Sequence, residues 1–184
     1  MIGLLRNRDS LSTSNETKFE TIVLRHLDAA YNLARWLLGN DQDAEDVVQD
    51  ASIRALDSLD SFRGEDGKAW FLTIVRNTSL NCIRQRKSNR LVELETEDLI
   101  PDGRNPSPEE LVIRVWQKDA ITAAMSALPH QYLELIVLRE LEDMSYKQIA
   151  EVAGIPIGTV MSRLSRARQS LQLSLVASNA LEGI

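Results

Sequence analysis

The chain has 184 residues, 21 Lys+Arg against 27 Asp+Glu, a formal charge of −6 and a pI near 5.0. At 43% hydrophobic and 26% charged it has the composition of an ordinary globular protein of one or two small domains. No stretch approaches the roughly 18 apolar residues of a membrane span. The single cysteine, Cys82, excludes an internal disulfide framework and suits a reducing, cytoplasmic setting. The two histidines, His26 and His130, are too far apart in sequence to suggest a zinc set, and no cofactor is expected.

The total charge argues against a nucleic-acid partner, but its distribution does not. Residues 41–70 carry −6, 71–90 carry +5, 91–119 carry −5, 120–151 carry −3 and 152–184 carry +2. Basic patches alternate with acidic ones, as they do when one chain meets several partners. Solvated helix faces would give the same alternation.

In chain order, residues 1–18 lack an apolar signal core and read as a loose tail. Residues 19–38 carry Ile22, Val23, Leu27, Ala30, Leu33, Ala34 and Leu37 on one stripe, which predicts a single helix ended by Gly39-Asn40. A second helix starts near Asp41 to Asp43. Within it Ala44, Val47, Val48, Ala51 and Ala55 face inward, and Asp46, Gln49, Asp50 and Ile53 line another face. That acidic face could dock a basic helix or simply face water.

A third helix is predicted over about residues 67–87. Phe71, Ile74, Val75, Thr78 and Cys82 form its core arc, with Cys82 as a small buried hydrophobe. Trp70, Thr73, Arg76, Asn77, Leu80, Asn81 and Arg84 form another arc. Cations suit phosphates, while amides and aromatic faces suit unpaired bases. The preceding loop, Ser61 to Ala69, has two glycines, Arg63 and Lys68, and could hold an extruded base. A solvated amphipathic helix fits this segment equally well.

Residues 91–110 turn acidic and proline-containing and predict a flexible linker. Helical period returns over 111–175. There Ser145 and Gln148 fit a capping box, Gly154 a left-handed helix end, and Pro156 the opening of the next helix. Val160, Leu164, Ala167 and Leu171 make one buried stripe, leaving Thr159, Ser162, Arg163 and Arg166 outward. This is the pattern of a helix-turn-helix, whose second helix can enter the DNA major groove, or of a plain helical hairpin with a solvated Arg face. Residues 176–184 form an uninformative extension. The fold class expected is all-α: two small helical domains, 19–90 and 111–175, joined by the acidic linker.

These segments together resemble the extracytoplasmic-function (ECF) sigma factors of bacterial RNA polymerase. Residues 43–56, DAEDVVQDASIRAL, resemble the family's core-polymerase-binding segment. Residues 61–87 resemble its −10 recognition and strand-opening region, and 128–168 its −35-binding domain. The resemblance implies a non-enzymatic initiation factor that binds core RNA polymerase, directs it to promoter DNA and helps open the duplex. It implies that Asp46, Gln49, Asp50 and Ile53 meet the clamp helices of the polymerase. Arg63, Lys68, Trp70, Arg76, Asn77, Asn81 and Arg84 would meet the −10 element. Thr159, Ser162, Arg163 and Arg166 would read the −35 element, with Arg168 nearer phosphates. An anti-sigma factor is a further implied partner.

Two departures stand out: Met161 occupies a position that is often Lys in relatives, and Asp143 one that is usually Gly. Two other readings are a sigma mimic that only sequesters an anti-sigma factor, and a stand-alone helix-turn-helix regulator. The basic face of 71–90 weighs against the first. The unexplained first domain weighs against the second.

Overall fold

The computed structural model describes residues 15–64, 66–90 and 120–182. The chain divides into two compact units, Met1–Glu93 and Leu94–Ile184. The described residues are helical and contain no strand, so the all-α class stands. None of these helices is long and apolar enough to cross a membrane. The acidic linker and residues 1–14 lie outside the described residues.

In the first unit α1 covers residues 15–22, α2 Leu27–Leu38, α3 Asp41–Ser58 and α4 Gly67–Arg90. The single helix expected over 19–38 is therefore two. Thr21-Ile22-Val23 is a β-branched run of weak helix propensity, and a 3-10 turn over Leu24–His26 redirects the chain there. That redirection buries Val23 completely and Ile22 almost completely. Residues 15–18, expected in the tail, belong to α1.

Helix α2 ends at Gly39 with φ +82°, a backbone that glycine adopts without a Cβ clash. The next residue, Asn40, caps α3 by accepting a hydrogen bond from the Asp43 amide at 2.9 Å. The Tyr31 hydroxyl donates to Asp41 at 2.8 Å, and Arg35 pairs with the same carboxylate, so two side chains of α2 hold the first residue of α3. The Tyr31 bond, then Arg35, keep the Asp41 carboxyl below its ordinary range. A carboxylate lowered in this way contributes stability above about pH 4 and loses that contribution as acid protonates it.

Helices α2, α3 and α4 pack on one another in all three pairings. The seam uses small residues, with Ala30, Ala34, Ala44, Ala51, Ala55 and Ala69 fully buried beside Leu33, Phe71, Leu72 and Val75. Close approach also explains Gly67, where a Cβ would come within 3.0 Å of Ile22. Because α4 is wedged between two helices, its buried face is wider than the expected arc. Leu72 and Ser79 are fully enclosed, the Ser79 hydroxyl donating to the Val75 carbonyl at 2.9 Å. In return Val48, Ile74 and Cys82 are only half-buried, which corrects their assignment to the core.

The second unit comprises α5 over residues 120–126, α6 His130–Ile136, a π turn Val137–Leu141, α7 Tyr146–Ala153 and α8 Ile157–Glu182. Its core joins Leu135, Ile136 and Leu138 to Met144, Ile149, Val160 and Leu164. Leu171, expected in the buried stripe, is half-exposed, and α8 continues past residue 175 through most of the supposed extension. The capping box forms as expected: Gln148 N–H donates to Ser145 Oγ at 3.3 Å, and Ser145 N–H to Gln148 Oε1 at 2.7 Å.

Asp143 has φ +51°, the left-handed backbone its place before the cap requires. Asp143→Val should lower the thermal unfolding midpoint, costing about 1–2 kcal/mol. Asp143→Gly should leave the midpoint unchanged or raise it.

Candidate nucleic-acid interfaces

The second unit presents a helix-turn-helix: α7, a left-handed Gly154 with φ +65°, and α8. Pro156 sits immediately before α8, and its carbonyl accepts from Thr159 and Val160 at 2.8 and 3.1 Å, closing the first turn. Val160, Leu164 and Ala167 are sealed inward. Ser162 and Arg166 are therefore exposed, while Thr159 and Arg163 are half-exposed at the edge of the same face. Among the described residues neither Arg163 nor Arg166 is engaged in an ion pair. Two cations held near a Ser and a Thr on one helix face suit the major-groove edges of base pairs. Ile157 and Met161 lie exposed beside them and offer apolar contact where a lysine would offer charge.

Arg168 differs. Its Nε and Nη2 both donate to Glu140 Oε1, at 3.0 and 2.7 Å, so its charge is already matched within the protein. Foremost this pairing, and then a hydrogen bond with Tyr146, raise its affinity for the proton further.

In the first unit α4 exposes Asn77, Asn81 and Arg84, with Arg84 Nη1 donating to Asn81 Oδ1 at 2.8 Å. Arg76 and Lys68 are half-buried, and Arg63 is exposed in the preceding loop. Trp70 stacks in tilted fashion on Phe62, ring centroids 5.1 Å apart. Gly64 lies against that Phe62 ring, where a Cβ would approach to 3.1 Å. Loop and helix start are thereby tied into one aromatic corner. Asp66 caps α4, accepting from the Ala69 amide at 2.9 Å. Arg86, one of the five charges in the basic block, is paired with Asp43 of α3.

The acidic face of α3 is exposed at Asp46, Gln49, Asp50 and Ile53. Leu56, absent from the sequence expectation, extends it: Ile53 and Leu56 are each 53% exposed, one turn apart. An open groove of about 330 Å³ runs between α3 and α4, lined by Asp46, Gln49, Asp50, Asn81 and Cys82 among others. It brings members of two expected sites to one surface. No short motif announces such a groove, because it is made by two helices packing.

Comparison with known proteins bears on what these faces meet. Residues 22–89 match the sigma-70 region 2 model, and residues 118–171 the sigma-70 region 4 model. The chain is 32% identical over 171 residues to the ECF RNA polymerase sigma factor SigW of Bacillus subtilis, covering 88% of this chain and 90% of that protein. It is 33% identical over 155 residues to SigE of Mycolicibacterium smegmatis, covering 84% of this chain but 60% of that longer protein. Among solved structures, the sigma factor RpoE from Bartonella quintana, in complex with the anti-sigma factor NepR, superposes with a TM-score of 0.68 at 30% identity. The match covers 85% of this chain and 96% of that one.

Two helical regions of these types on one chain define a sigma-70-type transcription initiation factor. Within that class, the chain belongs to the ECF sigma factors, which direct RNA polymerase to promoters.

The half-exposed Cys82 should react fully with a maleimide in the native protein without loss of helical circular dichroism. A thiol that stays protected until denaturant is added would contradict the groove.

Proposed function

We propose that this chain is a specificity subunit, not an enzyme, that acts in the cytoplasm by lending promoter recognition to core RNA polymerase. The exposed Asp46, Gln49, Asp50, Ile53 and Leu56 of α3 form the polymerase-facing surface. A charged rim around two apolar side chains suits a specific helix-to-helix contact. Arg63, Lys68, Trp70, Arg76, Asn77, Asn81 and Arg84 meet the −10 element. The Phe62–Trp70 corner offers a stacking surface to a base that has left the duplex, and capture of that base assists melting. Thr159, Ser162, Arg163 and Arg166 read the −35 element from the major groove. The polymerase supplies the chemistry.

The observation that carries this reading is the contrast along α8. Arg163 and Arg166 stand without an ion-pair partner among the described residues, on a helix-turn-helix whose capping and core leave that face outward. An overall charge of −6 makes DNA binding by the free protein weak, so the polymerase must hold it at the promoter. The solved relative bound to an anti-sigma factor supports an antagonist of the same kind here. The exposed Ile53 and Leu56 would be covered in such a complex.

Purified protein with core polymerase should produce a transcript from a cognate two-element promoter. Absence of both core binding and transcription across a genomic promoter library would refute the reading. Arg163→Ala with Arg166→Ala should weaken promoter recognition by about 1–3 kcal/mol per lost base contact while core binding persists. Conversely, Asp46→Ala with Asp50→Ala should lower affinity for core polymerase by roughly tenfold or more. Both double variants should keep the helical content of the parent.

A further inference from the structure

Arg168 lies two residues beyond Arg166 on α8, and what holds it comes from 28 residues earlier in the chain. Its partner, Glu140, sits in the π turn Val137–Leu141. A π turn adds a residue to the helical circuit and swings the following side chains around the axis. Here the Glu142 amide donates back five residues to the Val137 carbonyl at 3.1 Å, and Glu140 faces α8. The same turn also reaches Tyr146, the first residue of α7. The Tyr146 ring in turn carries the Arg139 guanidinium 5.5 Å from its centroid, and Arg139 Nη1 donates to the Met144 carbonyl at 2.7 Å. These contacts run from the π turn, around the left-handed Asp143, through the start of α7, to α8.

We propose that Glu140 and Arg168 form a clamp that sets the angle of α8, making them positioning residues for the −35 contact. This rests on the promoter-reading role of α8 given above. Apolar packing along Val160, Leu164 and Ala167 is non-directional and resists tilt and rotation only through shape. Two N–H groups aimed at one carboxylate oxygen are directional. The clamp anchors α8 at residue 168, six residues or about 9 Å along the axis from Ser162. A fixed point there constrains the tilt that carries Ser162 and Arg166.

The same geometry argues against Arg168 as a phosphate contact. Glu140 takes the Arg168 Nε–H and one Nη2–H, and the carboxylate held there repels a phosphate approaching the remaining N–H groups. Among the described residues Arg163 and Arg166 have no such ion-pair partner.

The test uses full-length protein with core polymerase on a promoter whose binding requires its −35 element, titrated over salt. Arg168→Ala and Glu140→Ala should each weaken −35-dependent binding about fivefold, and the double variant should be no worse than either single. The slope of log affinity against log salt should match wild type. The exchanged pair Glu140→Arg with Arg168→Glu should recover part of the loss.

The proposal is overturned if Arg168→Ala lowers the salt slope by about one while Glu140→Ala tightens binding, the behaviour of a phosphate contact released from a competitor. A DNA-independent readout is the Arg168 Nε–H resonance of the free full-length protein. It should exchange slowly with water and lose that protection in Glu140→Gln. Rapid exchange in a wild type that still recognises the promoter would overturn the clamp alone. A wild type that recognises no promoter would overturn the promoter-reading role as well.

Discussion

Val160, Leu164 and Ala167 are sealed into the core of the second unit, and a helix advances 100° per residue, so their burial decides where every other side chain of that segment points. Ser162 and Arg166 face water because three neighbours cannot. The same constraint runs backward through the unit. The stripe can seat only if α7 stops at Gly154 and begins at Ser145, and the box between Ser145 and Gln148 begins it there. Left-handed backbone at Asp143 and Gly154 brackets α7 on both sides. The outward polar face of α8 therefore depends on the apolar packing behind it.

The first unit meets a different constraint. Its three long helices approach closely through alanines, and the groove left between α3 and α4 takes acidic residues from one wall and polar residues from the other. Opposite charges then partly cancel inside the protein: Asp43 takes Arg86, and Asp41 takes Arg35. What remains outward is a smaller acidic face on α3 and a smaller basic face on α4 than the charge totals suggest. The −6 of the whole chain is a balance of separate acidic and basic surfaces.

Local features were legible from residue order. Gly39, Asn40, the Ser145–Gln148 box, the left-handed Gly154 and the 160–164–167 stripe all involve contacts within a few residues. Features made by distant packing were not. The break in the first predicted helix looks from sequence like an uninterrupted apolar stripe. Cys82 reads as core on a helical wheel, yet the space between α3 and α4 leaves it half-open. Leu56 looks like an ordinary helix leucine until α3 is seated with that side outward.

The sequence by itself determined the helical class, the helix-turn-helix and the outward placement of Ser162 and Arg166. Helical period and capping are nearest-neighbour physics, written in the spacing of a few residues. Only the tertiary structure decided which charges were already spent. From sequence Arg86, Arg166 and Arg168 are equivalent cations on basic helices. Packing puts Asp43 beside the first and Glu140 beside the last, and leaves the middle one outward. Ion pairing depends on distance in space, and a separation of 28 positions along the chain conceals the Glu140–Arg168 pair.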